Sequence, residues 1–280
     1  MAAEAPLTRL VLGAASVADD LGYVALADLG RALSPDVGTN YRVIGGHMVT
    51  ALVARWQLGA DLYRETGDTD LGVPPVIVRD HLVIERLLDL GYERVAGNRF
   101  AKTLGDVPVR IPGEADSPPQ AVIDVLVPAY TSRARNDRRV SDDLVTTEVL
   151  GLPTALNRPP ALLALEMHRL NGERLEVEIA FPDEVAALVL KAFATRVRNK
   201  DTDVVDVWRC LEVAFAAGVN SHEFAEGDRA EAAAHVRALF ERRDGAGMRA
   251  LEAEQRLSGA AADERFTRLR ALTERVLGRV

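Results

Sequence analysis

The stretch from Tyr41 to Val73, YRVIGGHMVTALVARWQLGADLYRETGDTDLGV, constrains the fold more than any other part of the chain. Tyr41 to Ile44 reads as a short buried strand, and the Gly45-Gly46 pair lets the backbone turn sharply and come close to a ligand. A helix should begin there. Met48, Leu52 and Trp56 fall at helical spacing with Val49 and Val53 beside them, and Gly59 is a stop signal. If Thr66 to Val73 is then a strand, alternation puts Thr66, Asp68 and Asp70 on one face. Two carboxylates aimed at one point repel each other unless a positive charge sits between them. A hard cation such as Mg²⁺, or Mn²⁺, together with phosphate oxygens is the usual answer. The plainer reading of the pair is an exposed strand end with capping or turn roles.

A chain of 280 residues and 30.4 kDa can bury a substantial core, as one large domain or two medium ones, and two are expected. The net charge of -8 argues against blanket electrostatic attachment to nucleic acid, so any RNA contact needs a local basic patch. Cys210, the one cysteine, has no intramolecular disulfide partner. With no basic and apolar leader and no apolar run near the ~20 residues of a membrane helix, the chain reads as cytoplasmic with no membrane partner. The five histidines show neither a paired helical spacing nor a Cys-His pattern for zinc, and no Gly-x-Ser-x-Gly turn marks a serine hydrolase.

Taken in order, residues 7 to 33 carry Leu10, Ala14, Val17 and Leu21 at helical intervals and predict one or two lead-in helices. Ser34 to Asn40 is turn chemistry, Pro74-Pro75 ends the Asp-x-Asp strand, and residues 76 to 90 form an amphipathic helix capped by Gly91. Phe100 to Lys102 and Val107 to Ile111 are candidate short strands, and Glu114 to Gln120 is a loop. Ala121 to Pro128 is a β-branched run with Asp124 inside it. An unpaired carboxylate in such a strand is costly, so Asp124 should meet a cation, a metal or a catalytic site. Arg133, Arg135, Arg138 and Arg139 follow within one loop, either simply solvated or placed to meet RNA phosphates. Residues 141 to 165 resist assignment beyond a helical start near Ala161, and Leu175 to Ala180 alternates as a strand.

From Phe181 the chain turns helical, with an apolar stripe of Val185, Leu188, Val189, Ala192 and Phe193. Lys191 falls off that stripe by well over a quarter turn and is free to face a cleft. Asp203 and Asp206 follow; their bland role is capping or pairing with Arg196 and Lys200. Ser221 to Val280, rich in Ala, Arg, Glu and Leu, should close the chain with helices.

Strand, Gly-Gly, helix and an Asp-x-Asp strand, in that order, resembles the DNA polymerase β-like nucleotidyltransferases. Arg-x-Thr-x-Asp-x-Asp-Leu from Arg64 to Leu71, with the lysine, Lys-Asp and Asp-x-x-Asp pattern from Lys191 to Asp206, looks like the AbiEii/AbiGii toxin family. The resemblance covers roughly residues 40 to 210 and implies an α+β fold: a polymerase β-like mixed sheet with flanking helices, followed by a mainly helical C-terminal domain. The corresponding domains are 1–180, with a helical lead-in over 1–38, and 181–280. It implies an NTP-dependent nucleotidyltransferase in which Asp68, Asp70 and Asp124 hold the metal. Gly45, Gly46, His47, Arg64, Thr66, Lys191 and Asp203 would meet the nucleotide. His47 stands where related enzymes often carry serine, and it either touches phosphate or merely starts the helix. The resemblance further implies a toxin acting on an RNA acceptor such as a tRNA 3′ end, and an antitoxin partner. Two alternatives stay open: a small-molecule nucleotidyltransferase of the aminoglycoside-modifying kind, and a catalytically silent nucleotide-binding protein.

Overall fold

The first strand of the chain is β1 (Thr8–Gly13), followed by helix α1 (Val17–Ala32). The computed structural model describes residues 7–33, 37–79, 82–105, 118–141, 144–198 and 200–279. Residues 7–13 are therefore extended, not part of a lead-in helix. The spacing of Leu10, Ala14, Val17 and Leu21 runs across a break at which Ser16 caps α1 by accepting from the Asp19 N–H. Before that break the period is two: Leu10 and Leu12 are half-buried while Arg9 and Val11 are exposed. Helix α1 is buried on almost every side, because it packs against both sheets of the molecule.

The larger sheet uses β2 (Arg42–Ile44), β3 (Asp68–Gly72), β4 (Glu93–Ala96), β5 (Arg99–Thr103) and β6 (Gln120–Pro128), in the order β2-β3-β6-β5-β4. Helix α2 (Gly45–Arg55) runs directly out of β2. The expected helix over 76–90 is two pieces, α3 (Pro75–Arg79) and α4 (Leu82–Asp89), and Gly91 follows with φ of +87°. The candidate strand Val107–Ile111 lies outside the described residues, as does most of the expected loop at 114–120. A short strand, β7 (Arg138–Arg139), pairs with β8 (Val145–Val149), and β8 runs parallel to the last three residues of β6. Strands β5 and β8 thus take successive stretches of β6, leaving a fork in the sheet beside Asp124.

After α5 (Leu152–Asn157), the expected helical start at Ala161 is instead β9 (Ala161–His168), which forms a hairpin with β10 (Arg174–Phe181) and pairs in parallel with β1. Its Ala, Leu and Met residues favour helices when isolated, but burial of Leu163, Leu165 and Met167 between two partner strands overrides that preference. The remainder is helical: α6 (Glu184–Val197), α7 (Asp201–Ala216), α8 (Gly227–Phe240), α9 (Ala246–Gln255) and α10 (Gly259–Leu277). Asp183 caps α6 through the Ala186 N–H at 2.9 Å. Helices α6 and α7 pack on each other and both touch α2, which brings the helical half of the chain to the strand–helix turn at Gly45. The chain is a mixed α+β protein with mixed sheets flanked by helices. Among the described residues no helix is long and apolar enough to cross a membrane.

Candidate active site

Strand register places the carboxylates. Asp70 lies between Ile44 of β2 and Asp124 of β6, so Asp70 and Asp124 are direct cross-strand neighbours, while Asp68 stands two residues earlier on the same face. The strand starts only at Asp68, so Thr66 belongs to the approach and not to the alternating face. Thr69 and Leu71, on the opposite face, are fully buried.

The glycine pair is required by sterics. Gly45 has φ of +73°, and a Cβ there would sit 1.9 Å from Oδ2 of Asp70. At Gly46 a Cβ would meet Oγ1 of Thr66 at 2.2 Å. The first turn of α2 is therefore pressed against the Asp70 carboxylate. Burial pushes Asp70 up to about 6; the Asp124 charge adds to this, while Lys191 and Arg198 pull it back.

A cavity of about 560 Å³ opens at the fork in the sheet. Gly45, Asp70, Asp124, Arg99, Asn98 and Asn136 line its floor and rim, and Leu190, Lys191, Phe193, Val197 and Arg198 of the helical half form the facing wall. Its size suits a small-molecule ligand with both apolar and charged parts.

Lys191 does face this cavity, but its ammonium is not free. It is buried and donates to Oδ2 of Asp206 at 2.7 Å. Arg64 grips the same carboxylate with two bonds, at 3.0 and 3.2 Å, and Arg209 adds a third partner at 3.0 Å. One buried carboxylate therefore faces three cations. Burial alone would raise Asp206; the three cations overcome it and hold the group well below the usual carboxylate range. Asp203 pairs with Arg198 at 3.1 Å, and its other oxygen is buried without a partner. Asp203 and Asp206 are ion-paired, as their bland reading has it, but with Arg198 and with Lys191, Arg64 and Arg209, while Arg196 turns to Glu231.

His47 is placed away from the cavity. Its ring is buried against Gly22 of α1, where even a Cβ on that glycine would come within 2.5 Å, and its Nε2 has no hydrogen-bond partner. Burial, then the charge of Arg64, lowers it to about 3, so the ring is neutral. Thr66 lies beside Gly46, with its N–H directed at Asp19. All four arginines of the 131–139 segment are exposed, but they do not share one loop: Arg138 and Arg139 form β7, and Arg135 and Arg138 both turn back to Glu148, at 2.9 and 3.7 Å. That contact pins the loop to β8 and offsets part of its charge.

The residue that sequence reasoning missed is Arg99. It is in register with Asp124, donates to it through Nε at 3.1 Å and Nη2 at 2.8 Å, and reaches Oδ2 of Asp68 at 2.8 Å. Nothing within β5 marks this arginine out; its role depends on pairing with a residue 25 positions further along.

Among the described residues no group of three or more His, Cys, Asp or Glu side chains is arranged to hold a metal ion by itself. A dication here would take Asp70 and Asp124, with Asp68 alongside, and fill its shell with water and phosphate oxygens, as Mg²⁺ commonly does. The all-oxygen donor set and the repulsion between two neighbouring carboxylates fit such an ion.

No family model matches this chain, and no curated protein does. A solved structure described as an antigenic nucleotidyltransferase-like protein from Paracoccidioides brasiliensis is similar at 17% identity and a TM-score of 0.44, over 83% of this chain and 90% of that one.

Proposed function

We propose that this chain is a metal-dependent nucleotidyltransferase of the polymerase β-like kind, with a nucleotidyltransferase domain over 1–180 and a helical domain over 181–280. The observation that carries the reading is the contact of Gly45 with Asp70, beside Asp124 in cross-strand register. A left-handed glycine that admits no side chain brings the start of a helix onto a carboxylate pair, within a cavity whose opposite wall carries Lys191. Asp70 and Asp124, assisted by Asp68, would hold Mg²⁺ or Mn²⁺. The ion, when bound, would supply charge neutralisation for the attacking and leaving oxygens of an in-line displacement that passes a nucleoside monophosphate from the NTP to an acceptor hydroxyl and releases pyrophosphate. On this reading Asp124 would also help accept the acceptor hydroxyl's proton, and the backbone N–H groups at Gly45 and Gly46 would meet phosphate at the start of α2. Lys191 would face the triphosphate from the helical wall. The acceptor on this reading is RNA, such as a tRNA 3′ end, the biological role is that of a toxin, and an antitoxin protein would be its partner.

A second reading is favoured by one specific contact. Because Arg99 already bridges Asp68 and Asp124, the site is also compatible with a protein that binds a nucleotide without turning it over. Incubation of the purified protein with Mg²⁺, each labelled NTP and total tRNA separates the two. Label transferred to RNA, lost in Asp70→Asn with the fold intact, supports the enzyme. Nucleotide binding with no transfer to RNA or to any small acceptor supports the silent protein.

A further inference from the structure

A row of charge crosses three adjacent strands: Asp70 on β3, Asp124 on β6 and Arg99 on β5, each in register with the next. The Arg99 guanidinium spends its donors on two carboxylates at once. Nη2 reaches Oδ2 of both Asp68 and Asp124 at 2.8 Å, and Nε lies 3.1 and 3.3 Å from the two oxygens of Asp124. It sits on the cavity wall with 42% of its side chain exposed, so it can leave the carboxylates without disturbing the core. Any dication that takes Asp124 has to take an oxygen that Arg99 already holds, and has to approach a fixed positive charge while doing so.

We propose that Arg99 is an internal counter-ion of the carboxylate site. It keeps Asp68 and Asp124 closed to free divalent metal and gives them up when the metal arrives together with a polyphosphate. The exchange balances in charge: the dication replaces the guanidinium on the carboxylates, and the guanidinium gains the phosphate oxygens that the nucleotide brings to the same cavity. Free metal offers it no such partner. The proposal rests on the reading of these carboxylates as a metal site, and its consequence is that metal and nucleotide bind cooperatively.

The test is a titration of Mn²⁺ alone, followed by the spin-resonance signal of the free ion, on wild type, Arg99→Lys and Arg99→Gln. Near-ultraviolet circular dichroism checks each fold. Removing the guanidinium should tighten Mn²⁺ binding by about tenfold in Arg99→Gln. Arg99→Lys, which keeps the charge but loses the fork that spans both carboxylates, should fall between the two and serves alone if Arg99→Gln does not fold. Adding a non-hydrolysable ATP analogue, with the Mn²⁺ that the analogue itself binds subtracted from a protein-free titration, should tighten Mn²⁺ binding to wild type more than to either variant. Equal Mn²⁺ affinity in all three proteins would overturn the counter-ion role and leave the metal site standing. Failure of every form to bind Mn²⁺, with or without the analogue, would remove the metal site and this proposal with it.

Discussion

Replacing Asp206 by Asn should cost more stability than any single change to the cations around it. Lys191 and Arg209 have side chains only 5% and 1% exposed, whereas Arg64 is 28% exposed and can turn toward water. Asp206→Asn therefore strands two buried cations. Breaking a buried pair by removing one partner typically costs about 3–5 kcal/mol, and the upper half of that range is expected here because two cations lose their counter-charge. Lys191→Met is the reverse case. It leaves Asp206 held by Arg64 and Arg209, so its cost should stay near that of one charged hydrogen bond, about 1.5–3 kcal/mol. Urea unfolding at pH 7.5 followed by tryptophan fluorescence suits the measurement, since buried Trp208 lies on the same helix as Asp206. In the double variant Lys191→Met relieves one stranded cation, so the two losses should add to less than their sum. If Asp206→Asn is no more costly than Lys191→Met, the carboxylate is not the hub of the cluster.

Three further outcomes are expected. Gly45→Ala should lower stability by at least about 1–3 kcal/mol in thermal melts, because φ of +73° strains an L-residue and its Cβ would press on Asp70; unchanged melting would mean that the turn is not held as described. His47 is neutral when folded, lowered to about 3 by burial. The unfolded chain takes up a proton below the ordinary value near 6.5, so stability should fall as pH drops from about 6.5 toward 3, by roughly 1.4 kcal/mol per unit at the steepest, and His47→Gln should flatten that part of the profile. Neutralising Arg133, Arg135, Arg138 and Arg139 together should weaken RNA binding and reduce its salt dependence while leaving free NTP binding nearly unchanged, and an unaltered salt slope would reduce the loop to a solvated one.

What the sequence made legible follows from the range over which each feature is determined. The turn from β2 into α2 could be read because Gly45-Gly46 and the apolar spacing of Met48 and Leu52 act within a few residues of one another. Asp124 stood out because a carboxylate inside Ala121 to Pro128 breaks an apolar run. Strand β1 was hidden by a coincidence of spacing across Gly13 to Ser16, and β9 by helix-favouring residues that only the pairing with β1 and β10 makes extended. The sequence displayed both Lys191 and Asp206 but not their contact, which needs α6 packed on α7. Arg99 was beyond reach for the same reason, since only the antiparallel register of β5 on β6 sets it against Asp124.

The division of charge within the cavity bears on which ligand the proposed site would accept. Carboxylates of the sheet, Asp70 and Asp124, form one side with Arg99 beside them, and the helical wall carries Arg198 and Lys191, the latter one of three cations that share Asp206. A simple anion would be drawn to that wall but repelled by the floor. A polycationic small molecule of the aminoglycoside type would meet the floor but face Lys191 and Arg198 across the same space. A divalent ion carried by a polyphosphate presents positive charge to the carboxylates and negative charge to the helical wall in one ligand. On the counter-ion proposal it would also offer Arg99 a replacement for Asp68 and Asp124. On the proposed reading a metal–nucleotide complex would match both sides of the cavity with its two ends, which is the physical ground for proposing an NTP over a simple anion or a polycation.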